Sequence, residues 1–100
     1  MSDLTHSLTD SKPQKGEKFF VAREVLGHVL QSRRKSRRMT LDEASKKLNV
    51  SISTLYRIEH GGRNIAANEV AAMCVVYECA IAEVWLEVET LLHERHQHQK

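Results

Sequence analysis

Four residues within one short stretch carry side chains suited to reading the polar edges of another molecule: Ile52, Ser53, Tyr56 and Arg57. On a helix of 3.6 residues per turn their spacing groups them on one side. The Arg57 guanidinium is a rigid fork of donors that matches two neighbouring acceptors, such as O6 and N7 of guanine. Ser53 can donate to or accept from any base. Ile52 either meets a thymine methyl or is an exposed turn residue, and Tyr56 either contacts phosphate or base or covers the domain surface. Upstream, Arg33, Arg34, Lys35, Arg37 and Arg38 form a dense cationic run. Such a run is either a solvated helix end or a phosphate contact, and its position beside the reading residues favours phosphate for Arg37 and Arg38. Arg63 and Asn64 are further phosphate candidates. This is recognition chemistry, and the parts for bond-making are absent from the sequence. There is no nucleophile–base pair and no glycine-rich phosphate loop, since Gly61-Gly62 reads as a helix stop. His93, His96 and His98 lie in a Gln-interleaved end without a supporting shell. Neither catalysis nor a metal or other cofactor is expected.

The elements that must position these residues are legible from their caps. Thr40 followed by Glu43 has capping-box spacing; Asn49 can end that helix in a left-handed conformation. Ser51 caps a second helix that runs to Gly61-Gly62. Two helices over about Thr40–Leu48 and Ser51–His60, joined by so short a turn, cannot pack antiparallel. They cross steeply as a helix-turn-helix, leaving the second free to enter a DNA major groove. Leu55 and Ile58 should point inward with Ala44, Leu48 and Val50. The amides of Thr40 and Leu41, at the positive end of the first of these helices, are expected to bind phosphate.

Around this pair, Phe19, Ala22, Leu26, Val29 and Leu30 recur with helical spacing and predict a helix from Glu17 or Lys18 to Ser36. A fourth helix is predicted near Asn68–Cys79 and a fifth from Ala80 past Leu92. Nothing suggests a strand, so the fold class is all-α with five helices. Residues 1–16 are expected to be a mobile tail, 17–92 the domain with a C-terminal helix over about 80–95, and 96–100 a polar tail. Cys74 and Cys79, five apart, would stand about 140° from each other on one helix and read as small buried side chains.

Composition agrees. The chain has 100 residues, 41% hydrophobic and 28% charged, which suits one small globular domain. The longest apolar run, Val70 to Tyr77, cannot span a bilayer, and the first eighteen residues are too polar for a signal peptide. A cytoplasmic location without membrane contact is expected. The net charge of +2 hides an asymmetry. Residues 32–67 carry nine basic and three acidic residues, whereas 68–100 carry two basic and six acidic ones. A basic middle and an acidic end make a polarised molecule, with one face suited to a polyanion.

The stretch VSISTLYRIEHGGRN, with Leu26-Gly27 and Arg34-Lys35 before it, resembles the Cro/C1-type (XRE-like, lambda-repressor-like) helix-turn-helix family of prokaryotes and phages. The resemblance covers about Leu26 to Trp85 and implies a five-helix DNA-binding domain. It also implies that Glu59 pairs with Arg34 inside the fold. Leu41 stands where the family often has Gln, Ala44-Ser45 where Leu-Ala is usual, Asn49 for Gly and Arg33 for Leu, so operator contacts do not transfer from relatives.

One helix-turn-helix reads too few base pairs for a useful site, and family members pair so that two recognition helices lie one DNA turn apart, about 34 Å. Val84, Val88, Leu91 and Leu92 are the candidate dimer stripe, with Trp85 in the core; the alternative is that the stripe packs onto the first helix. The expected function is a sequence-specific homodimeric transcription regulator on a palindromic operator. It would repress by occupancy and could be autoregulatory. The alternative is an antitoxin or adaptor that also binds a protein partner.

Overall fold

The computed structural model describes the backbone of residues 12–98 and the side chains of residues 21–95. Five helices follow one another, α1 (Lys12–Ser36), α2 (Leu41–Leu48), α3 (Ile52–Glu59), α4 (Ala67–Tyr77) and α5 (Ile81–His98), and no strand occurs among the described residues. The fold is all-α. The first helix starts at Lys12 rather than near Glu17, which corrects the expected tail over residues 1–16. Pro13 does not prevent this, because an N–H in the first turn has no intrahelical partner to lose. The rest of that tail lies outside the described residues. At the other end α5 continues to His98, so residues 96–98 are helical rather than tail.

The four junctions share one device. Each of α1 to α4 is closed by a residue of positive φ, respectively Arg38 (57°), Asn49 (60°), Gly61 (72°) and Glu78 (56°). In each case the next residue's amide reaches back to a carbonyl of the helix: Met39 to Arg34, Val50 to Ser45, Gly62 to Arg57 and Cys79 to Cys74. These bonds occupy carbonyls that a helix end otherwise leaves open. The reversals make the connections short, and the turn from α2 to α3 needs only Asn49, Val50 and Ser51.

The core is built from one face of every helix. Val25, Leu26, Val29 and Leu30 of α1 meet Ala44, Leu55, Ile58, Val70, Met73, Cys74, Tyr77, Val84 and Val88. The packing of α1 against α5 is the most extensive helix pairing. Val84 is fully buried and Val88 nearly so, with Leu91 and Leu92 packed on the same cluster. The proposed dimer stripe is thus the inner face of α5, laid along α1, and cannot be offered intact to a second copy. Trp85, one residue and about 100° further around the helix, is 43% exposed instead of in the core. The α1–α3 crossing depends on Gly27, where a Cβ would fall 2.4 Å from the Ile58 carbonyl oxygen. No helix among the described residues is long and apolar enough to cross a membrane.

Candidate nucleic-acid interface

The recognition surface is assembled from caps outward. Thr40 Oγ1 accepts from the Glu43 amide at 3.1 Å, and the Thr40 amide donates to Glu43 Oε1 at 2.9 Å. This reciprocal pair starts α2 and holds the Glu43 carboxyl below its ordinary value, chiefly through the bond from the Thr40 backbone. Ser51 Oγ accepts from the Thr54 amide at 3.0 Å and starts α3. Leu55, Ile58 and Glu59 then turn inward and are buried.

Glu59 would be an expensive residue to bury alone. Arg34 answers it from α1 with two parallel bonds, Nε to Oε2 at 2.7 Å and Nη2 to Oε1 at 3.0 Å. A third bond, from Arg34 Nη1 to the Met39 carbonyl at 2.7 Å, ties the guanidinium to the entrance of α2. The bond to Glu59 raises the Arg34 pKa above its ordinary value, with burial opposing it. One guanidinium thus connects α1, the α1–α2 junction and α3, fixing the angle at which α3 is presented.

What remains of α3 faces solvent. Ile52, Ser53, Tyr56 and Arg57 are all exposed, on one side of the helix. Tyr56 is 52% exposed, and its ring stacks on His60 with centroids 3.9 Å apart and planes 20° off parallel. His60 Nδ1 lies 2.8 Å from the Tyr56 carbonyl oxygen, so that nitrogen donates. His60 joins the recognition surface beside the four residues expected there, and its i,i+4 relation to Tyr56 is the signal that points to it. Among the described residues the Arg57 guanidinium donates only to the Gly62 carbonyl, at 3.5 Å, and its fork is otherwise presented outward.

The phosphate candidates divide. Arg38 is exposed and in no ion pair among the described residues. Leu41 is half-buried against the core, so only its backbone could serve an anion. The Thr40 amide is taken by Glu43, whose negative charge also stands where a phosphate was expected. Arg37 turns away to Glu78 at the end of α4, Nη2 to Oε1 at 2.6 Å. Arg63 is bound bidentately by Glu69, at 2.6 and 3.2 Å, and also donates to the Asn64 carbonyl. Glu69 in turn accepts from the Ala66 amide at the start of α4; its carboxyl is held below the ordinary range by Arg63 first and that amide second. The Asn64 side chain accepts from Arg23 at 3.1 Å. Three residues assigned to phosphate therefore brace the fold's other corners. Sequence spacing could not show this, because each partner lies on a different element or turn.

A buried frame, an exposed helix and a three-residue turn between α2 and α3 define a DNA-binding helix-turn-helix protein. A family model described as a helix-turn-helix domain matches residues 25–85, and the chain belongs to that family, of the XRE-like kind. It is similar to two crystal structures of the clp gene regulator ClgR from Corynebacterium glutamicum. One is 29% identical with a TM-score of 0.66, covering 69% of this chain and 90% of that one. The other is 26% identical with a TM-score of 0.73, covering 78% and 83%. No curated protein matches. The family and these likenesses support a DNA-binding transcriptional regulator.

Proposed function

We propose that this protein is a sequence-specific transcription regulator that acts as a dimer on a palindromic DNA site and represses by covering it. The observation that carries this reading is the contrast on α3: its inner side is locked by Arg34–Glu59, while Ile52, Ser53, Tyr56 and Arg57 are left exposed. Arg57 reads guanine in the major groove, Ser53 and Ile52 adjust the preference, and Tyr56, stiffened by His60, contributes contact area. Arg38, with the backbone amide of Leu41, positions the protein on phosphate. The chain works by binding, in the cytoplasm, and not as an enzyme.

Pairing is supported by the apolar surface that the fold leaves uncovered. Trp85 and Ile81 are 43% and 40% exposed. Trp85 borders an open groove with Leu26, Ile65, Val88 and Leu92, rimmed by Arg23 and Glu89. Opposite charges on the rim suit a two-fold contact in which Arg23 of one copy meets Glu89 of the other. The exposed groove favours the Trp85 side of α5 over its inner stripe as the pairing surface.

Footprinting on the DNA upstream of the protein's own gene tests the function. Two protected half-sites with centres about one helical turn apart are expected. Salt-sensitive binding to all DNA alike, with no protected site, would overturn it.

A further inference from the structure

Cys74 and Cys79 stand outside the DNA-facing surface, and on a continuous helix they would diverge. The chain between them is not a continuous helix. Glu78 is left-handed at φ 56°, the Cys79 amide donates to the Cys74 carbonyl at 3.0 Å, and the Glu78 amide donates to the Val75 carbonyl at 3.2 Å. This is the paired closure in which the residue after the reversal folds back over the residue five positions earlier. Cys79 is laid upon Cys74 by this closure, which brings the two side chains to the same corner. Cys74 is 4% exposed, whereas Cys79 is only half-buried. Cys79 lines a polar depression with Ser32, Arg33, Arg37, Glu78 and Glu87, which gives a small reagent access.

We propose that Cys74 and Cys79 form a dithiol modification site that a low-molecular-weight disulfide, of the oxidised-glutathione type, closes to an intrachain disulfide. The Cys79 thiolate attacks one sulfur of the reagent, breaking its S–S bond and releasing one small thiol. The Cys74 thiol, its proton lost to solvent, then attacks the Cys79 sulfur and expels the second small thiol. The two cysteines lose two electrons and two protons, and the reagent is reduced to two thiols. The product staples the last turn of α4 to the α4–α5 corner, which Arg37 already holds through Glu78.

The geometry also orders the two steps. Burial, and then the neighbouring Cys79, push the Cys74 thiol up to about 11, while Arg33 opposes. Burial still disfavours the Cys74 thiolate once Cys79 carries the reagent, so the closing step is slow at neutral pH and accelerates as pH rises. The charged groups that face the pair are Arg33 and Arg37 from α1, Glu87 from α5 and Glu78 on its own turn. Burial pushes the Tyr77 phenol above its ordinary value.

The test treats the folded full-length chain with oxidised glutathione between about pH 7 and 9, quenches with acid and reads intact mass and thiol labelling. A mixed disulfide on Cys79 should appear first. A product two hydrogens lighter than the dithiol should follow, with neither cysteine labelled, its closing rate rising with pH. Cys74→Ala should stop at the mixed disulfide, and Cys79→Ala should stay unmodified. Persistence of both free thiols, disulfide-linked pairs of chains, or closure only in urea would each overturn the proposal. None of these outcomes bears on DNA binding, so the two readings fail separately.

Discussion

Replacing Arg34 by Met removes the buried cation and keeps much of its volume. The change deletes three hydrogen bonds, at 2.7 and 3.0 Å to Glu59 and 2.7 Å to the Met39 carbonyl. It also strands the Glu59 carboxylate, whose side chain has no exposed surface. Breaking a buried pair from one side costs about 3–5 kcal/mol, mostly for the uncompensated charge. For a domain of this size each kcal/mol lowers Tm by about 4–8 °C, so the loss would consume much of a typical domain's stability of roughly 5–15 kcal/mol. Glu59→Leu should cost a similar amount, by stranding Arg34. The double variant should be far more stable than additivity allows, since two apolar residues replace a desolvated pair. Urea unfolding of the four proteins, with slopes compared, gives the coupling directly. Single losses below about 1 kcal/mol that simply add would refute the reasoning, because they would mean the pair is solvated in the folded chain.

Three further outcomes follow from the packing. Gly27→Ala should destabilise the chain by on the order of 3 kcal/mol, since both carbonyls that its Cβ would meet, Ile58 at 2.4 Å and Glu59 at 2.8 Å, are backbone; a Tm within a degree or two of the parent would contradict the close α1–α3 crossing. The Glu69 carboxyl, held low by Arg63 and the Ala66 amide, contributes stability that is present above its unfolded pKa and lost as pH falls through the lowered folded value. Arg63→Ala should therefore be destabilising at pH 7 and lose that effect progressively as pH falls below the ordinary carboxylate range, as measured by urea midpoints; a difference that does not change with pH would show that it does not come from the ion pair. Trp85→Glu should shift the sedimenting species toward monomer and weaken operator binding without lowering Tm, and an unaltered dimer would place the interface elsewhere.

The caps and the inward residues of α2 and α3 were legible because they are local: Thr40, Glu43, Asn49, Ser51 and Gly61 each act within five residues of their partners. Glu59 was legible only through the family resemblance, since its partner lies 25 residues away. The surface cations were not. Arg37 and Arg63 look alike in sequence to Arg38, yet two are claimed by Glu78 and Glu69. Which cations remain for a polyanion is decided by tertiary neighbours. The stripe of α5 was misassigned for a related reason. Helical periodicity shows that a face is apolar but not what covers it, and the long α1 has room for Val84, Val88, Leu91 and Leu92. Val25, buried at 2% exposure, escaped the α1 pattern as well. An ideal helix would part the two cysteines, and the left-handed Glu78 ends the helix between them.

The central claim is that α3 reads sequence through Arg57 while Arg38 only anchors the protein. Its most direct test is a binding titration of the parent, Arg57→Ala and Arg38→Ala against the footprinted site and against random DNA, over a range of salt. Arg57→Ala should lose about 1–3 kcal/mol on the specific site and almost nothing on random DNA, while Arg38→Ala should weaken both equally and reduce the salt slope by about one. Equal losses on both DNAs for Arg57→Ala, at an unchanged Tm, would contradict it.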